Sequence, residues 1–152
     1  MMDGMTISAT PDPNLIATIE TLNRSECLNY LATSTIARVG LLVDGRPEVL
    51  PVNYALDGET ILFRTAKDTV LHQASLSIVA IEVDRIDEVQ HTGWSVLIQG
   101  VARDLGDAID PTSERIKRLT LITWAPGGRD RWFRVDPDKM TGRRIRAIPA
   151  AL

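Results

Sequence analysis

The chain has 152 residues, 44% of them hydrophobic and 24% charged, which suits one globular domain and excludes a disordered or fibrous chain. A formal net charge of −3 argues against nucleic acid as a partner, because neutralising many phosphates takes a basic surplus. The single cysteine, Cys27, excludes an intrachain disulfide, and no apolar run approaches the roughly 18 residues of a membrane helix, so a cytoplasmic protein with no membrane contact is expected.

Residues 1–20, with Pro11 and Pro13 and little apolar periodicity, read as a flexible arm, leaving 21–152 as a single domain. A short amphipathic helix follows over 22–31, capped by Asn23 with Glu26 three positions on. From Thr35 the pattern becomes β-branched and apolar. The pairs Asp44-Gly45 and Asp57-Gly58 separate strands at 36–43, 46–56 and 60–63, which predicts a three-stranded antiparallel meander. A helix over 67–74 is expected from the spacing of Val70, Leu71 and Ala74, then a strand at 78–83 and a polar stretch at 85–92. Trp94 to Ala102 reads as a long strand in which Gly100 suggests a bend at a barrel corner. A helix over 111–122, a turn at Ala125-Pro126-Gly127-Gly128, and last strands at 132–135 and 143–148 joined around Thr141-Gly142 complete the chain. The sum is a mostly β, α+β protein: a six- to seven-stranded antiparallel split β-barrel with short flanking helices.

Chemistry-bearing residues concentrate after the third strand, where Arg64, Thr65, Lys67 and Thr69 gather two cations and two hydroxyls at a predicted strand-turn-helix junction. Such a junction suits a phosphate, and it equally suits a helix capped by Thr65 with Arg64 and Lys67 in solvent. Pro51 within Val49-Leu50-Pro51-Val52-Asn53 marks either a plain edge strand or one whose backbone takes a flat ligand. Trp94, followed by Ser95, suits stacking on a ring or partner subunit as well as covering the core rim. No glycine-rich phosphate loop occurs. His72, His91 and Cys27 have no metal-ligand spacing, so no metal site is expected, and Arg143, Arg144 and Arg146 read as a solvated strand end.

Four segments in order, 46–54, 61–69, 93–100 and 141–145, resemble the pyridoxamine 5'-phosphate oxidase-like FMN-binding split-barrel family, in its short actinobacterial type. The resemblance implies a homodimer with two FMN sites at the subunit interface. By carry-over, Arg64, Thr65, Lys67 and Thr69 would hold the phosphate, Val49, Leu50, Pro51, Val52 and Asn53 would line the isoalloxazine through their backbone, and Trp94 with Ser95 would border it. It also implies a flavin-dependent oxidoreductase on a small molecule, with a deazaflavin-dependent reductase in the same groove or a non-catalytic flavin- or haem-binding dimeric module as alternatives. Two departures bear on this: the C-terminal segment lacks the histidine of the vitamin B6-oxidising members, and Ala66 and Asp68 flank Lys67 where a Gly or Ser usually precedes it. No catalytic side chain is assigned. Pocket shape above a bound ring would fall to 85–92, 120–130 and the partner chain.

Overall fold

In the computed structural model, which describes residues 12–151, the elements run β1 (Leu15–Leu22), α1 (Arg24–Leu31), β2 (Ile36–Val43), β3 (Arg46–Asp57), β4 (Thr60–Thr65), a 3₁₀ turn (Leu71–Ala74), β5 (Ile78–Asp87), β6 (Thr92–Asp104), α2 (Pro111–Lys117), β7 (Arg131–Val135) and β8 (Lys139–Pro149). The hairpins arise where the turn chemistry requires them. Asp44 and Gly45 both take positive φ (50° and 73°), matching the right-handed twist of β2 and β3, and Gly58 (φ 62°) opens the turn into β4. At α1, Asn23 accepts from the Glu26 N–H while the Glu26 carboxylate accepts from the Asn23 N–H.

The strands are hydrogen-bonded in the order β1-β8-β6-β5-β2-β3-β4-β7, and a further β6–β7 pairing closes β2 to β7 into a ring. β6 makes that closure possible: residues 93–99 pair with β8, whereas Ala102, Arg103 and Asp104 pair with β7. Gly100 sits at the hand-over, where a Cβ would lie 2.3 Å from the Asp136 carbonyl oxygen. Alternate residues of the ring face inward, and Val39, Ile81, Val83, Val96, Ile98, Phe63 and Phe133 fill it. Phe63 and Phe133 lie opposite each other in the β4–β7 ladder with ring centroids 5.3 Å apart. Cys27 packs into this core from α1. A smaller cluster of Leu62, Leu105, Ile116, Leu121 and Trp132 seals α2 onto the outside of β4 and β7.

Four expectations change. Residues 15–20, read as part of the arm, belong to β1, which pairs with β8 from Leu15↔Pro149 to Leu22↔Gly142; residues 1–11 lie outside the described residues. β1 brings the strands to eight. The helix expected over 67–74 shrinks to the 3₁₀ turn Leu71–Ala74, because Asp68 takes φ 63° and interrupts any helix through Lys67. Finally, α2 stops at Lys117 and leaves 119–130 irregular, and β8 starts at Lys139, so Thr141 and Gly142 lie within a strand. Among the arginines of that strand, Arg144 and Arg146 bond Glu20 of β1.

Candidate functional site

The barrel is split between β3 and β4. Their last rung on the inner side is Tyr54↔Phe63; beyond it β3 follows β2 from Asn53 back to Arg46, while Arg64 and Thr65 follow β7. Along 46–53 β2 is the one ladder partner of β3 among the described residues, so the other edge of this stretch offers unpaired backbone groups. Val52 and Tyr54 point into the core, where the Tyr54 hydroxyl donates to the Leu31 carbonyl at 2.6 Å. Val49 and Pro51 are exposed, and Leu50 is half-buried against the core.

The expected phosphate residues lie where this open edge ends, because Asn53 and Arg64 both follow directly on the Tyr54↔Phe63 rung. They differ in what they offer. Arg64 donates through Nε to the Arg129 carbonyl (2.9 Å) and through Nη1 to the Leu121 carbonyl (3.2 Å), with its guanidinium 5.3 Å from the centre of the Trp132 ring. Thr65 is buried with its hydroxyl 2.6 Å from that of Thr69, and Thr69 also donates to the Ala66 carbonyl at 2.9 Å. These three side chains therefore brace the turn and its surroundings. Lys67 is exposed, and it makes no ion pair among the described residues. The Asp68 N–H points to His72 Nδ1 at 3.4 Å, and His72 Nε2 lies 3.1 Å from Asp104 Oδ2. Burial alone would raise the Asp104 carboxyl, but donors from Arg131 and the Gly106 N–H outweigh it and hold the group below the usual carboxylate range.

Trp94 and Ser95 stand apart from these residues, on β6, with β2 and β5 between them and β3. The Trp94 ring packs on Tyr30 of α1 at a centroid distance of 4.7 Å. With Glu82, Asp84, Ile86 and Arg143 they line a groove of about 740 Å³. One chain thus brings Val49 to Asn53 together with the 64–69 turn and leaves Trp94 and Ser95 in a second groove.

Between the two, Arg38 reaches Glu82 at 3.2 Å and Asp84 at 3.4 Å. Burial, reinforced by the neighbouring Asp84, pushes the Glu82 carboxyl up, and Arg38 offsets only part of this. A carboxyl raised in the folded state contributes stability that is complete below its unfolded value and is lost as pH rises through the folded one. Glu82→Gln is therefore expected to gain thermal stability over the unmodified protein on going from pH 4 to pH 7. Melting scans across that range check it; a variant that loses ground as pH rises would refute the assignment.

Residues 121–129, which carry Trp124, were legible only as a segment. The Trp124 N–H donates to Asn53 Oδ1 at 2.8 Å, tying the segment to β3. An indole next to Ala125-Pro126-Gly127-Gly128, where no strand or helix buries it, is the signal that would single it out. Among the described residues no group of three or more His, Cys, Asp or Glu is arranged to hold a metal ion, and no helix is long and apolar enough to cross a membrane.

Known proteins share this fold. The solved FAD binding protein from Mycobacterium smegmatis is 33% identical with a TM-score of 0.68, over 83% of this chain and 97% of that one. An uncharacterized protein of Mycobacterium tuberculosis is 30% identical over 144 residues, 91% of this chain and 93% of its own. The FAD and heme binding protein from Mycobacterium smegmatis, at 14% identity and a TM-score of 0.65 over 87% of this chain and 76% of that one, shares the fold alone. A family model described as pyridoxamine 5'-phosphate oxidase matches residues 23–144. The chain belongs to the pyridoxamine 5'-phosphate oxidase family.

Proposed function

We propose that the protein is a cytoplasmic, homodimeric, flavin-dependent oxidoreductase that binds the flavin mononucleotide portion common to FMN and FAD where β3 and β4 part. The observation that carries this reading is the continuity of two features: an open backbone edge along 46–53 and a cationic turn at 64–69, meeting at Asn53 and Arg64. A flat heterocycle finds hydrogen-bonding groups on the edge, and its phosphate finds Lys67 at the end of it. Pro51, which lacks an N–H, presents only its own carbonyl, an acceptor, to that edge, since it is the residues on either side of it that bond β2. That the 33% identical relative is an FAD binding protein supports the same cofactor class.

A bound flavin supplies the hydride and electron chemistry. The chain supplies placement: β3 orients the ring, Thr65 and Thr69 hold the turn in shape, and Lys67 balances the phosphate charge. A second copy would bring Trp94 and Ser95 to the ring from outside the chain that holds the phosphate. Leu42, Val49 and Ile78, exposed by 70%, 64% and 72% on three neighbouring strands, give the outer sheet face an apolar patch of the kind an interface covers.

Titration of the purified protein with FMN and FAD, followed by flavin fluorescence and absorption, tests the reading, and a protein that binds neither would overturn it. A deazaflavin or haem would show as a different absorption spectrum. Lys67→Ala is expected to weaken flavin binding by about 1–3 kcal/mol, the scale of one charge-assisted contact, while leaving the melting temperature in place. Sedimentation of a clean monomer would remove the shared site.

A further inference from the structure

We propose that Trp124 is an aromatic wall of the cleft between β3 and β4, stacking on the planar heteroaromatic ring bound there; this deepens the flavin reading above and rests on it. Of the three tryptophans, Trp94 is packed on Tyr30 and Trp132 is buried beneath Arg64, whereas Trp124 is 69% exposed. An exposed indole on an irregular segment would ordinarily be left to wander. This one is carried by a segment fixed at both ends and near its middle.

Leu121 is buried in the smaller cluster with Leu62, Leu105, Ile116 and Trp132. The guanidinium of Arg64 bridges the two ends of the segment, holding the Leu121 carbonyl at 3.2 Å and the Arg129 carbonyl at 2.9 Å. The backbone of Trp124 itself is held at 2.8 Å by the side chain of Asn53. Gly127, at φ 98°, turns the chain back toward Arg129. Both anchoring side chains follow directly on the rung at which β3 and β4 separate. The segment therefore spans the mouth of the cleft, and the energy spent fixing it leaves Trp124 and Ile122, the latter 74% exposed, unburied beside the open edge of β3. An aromatic side chain held rigidly at such a place binds a π-face at little entropic cost. Arg64 then acts as a positioning residue, through the segment it clamps.

The test uses the full chain as the unmodified protein, Trp124→Ala and Trp124→Phe, each titrated with FMN and with lumiflavin, which has the ring and no phosphate. Trp124→Ala is expected to weaken both ligands about tenfold, the scale of one lost base-aromatic stack. Trp124→Phe is expected to recover most of that affinity, and its bound flavin should fluoresce more brightly than in the unmodified protein, because an indole in contact with the ring quenches its emission and a phenyl ring does so far less. Unmodified protein that binds FMN, together with variants of equal affinity and equal emission, overturns the role of Trp124 and leaves the flavin reading standing. Unmodified protein that binds neither FMN nor FAD overturns both.

Discussion

Gly100→Ala is expected to destabilise the protein by about 3 kcal/mol, the upper end of what overpacking costs. β6 changes partners at this residue, from β8 through Gln99 to β7 from Ala102, and the Asp136 carbonyl crosses over the vacated Cβ position at 2.3 Å, with Val135 Cγ1 at 2.9 Å. The nearest obstacle is backbone, which has no rotamer to change. Relief requires β6 and the 135–138 connection to move apart, loosening the β6–β7 pairing that closes the ring. Urea denaturation gives the answer directly: a lowered midpoint with an unchanged slope is the expected result. A midpoint equal to that of the unmodified protein would show that the hand-over tolerates a methyl group, and that Gly100 is not the corner of the barrel.

Phe63→Ala is expected to cost about 3–5 kcal/mol, a large share of the roughly 5–15 kcal/mol by which a domain is stable. Phe63 is fully buried, lies opposite Phe133 in the ladder, and stands on the rung where β3 leaves β4. Loss of the ring leaves a cavity bordered by β-strands whose backbones are fixed by two ladders, so little collapse can fill it. Phe63→Leu, which retains most of the volume, should lose much less. If both variants unfold at the same urea concentration, packing at this rung is not what holds the split in place.

The hairpins could be read from sequence because their determinants are local: Asp44-Gly45 and Gly58 supply positive φ within the turns themselves. β1 was missed because only Leu22, its last residue, is buried and its ladder partner lies over a hundred residues away, so no local periodicity marks it. The 67–74 stretch deceived for a related reason. Val70, Leu71 and Ala74 have helical spacing, but Leu71 and Ala74 are buried by a short 3₁₀ turn, while Asp68 adopts a left-handed conformation that sequence spacing does not register.

At the candidate site, composition showed which residues the fold gathers and less of what holds each of them. The cations and hydroxyls of 64–69 do share one turn, yet whether Arg64 is free for an anion depends on carbonyls at 121 and 129, which only the folded chain brings to it. Thr65 and Thr69 likewise satisfy each other across four residues, a pairing that became visible only once the turn replaced the expected helix. Lys67 is the one of the four whose side chain stays exposed.

β1 also has a consequence for the order in which the protein is assembled. The strand nearest the start of the described chain pairs with β8 alone, and Glu20 meets Arg144 across a separation of 124 residues. During synthesis the Asp-Gly hairpins are available to form as they emerge, whereas Leu15–Leu22 must remain without a ladder until β8 has been made. Closing so long a loop costs entropy that local contacts do not repay, so β1 should dock late. Hydrogen exchange would then find its amides among the first to open, while the ring of β2 to β7 stays shut.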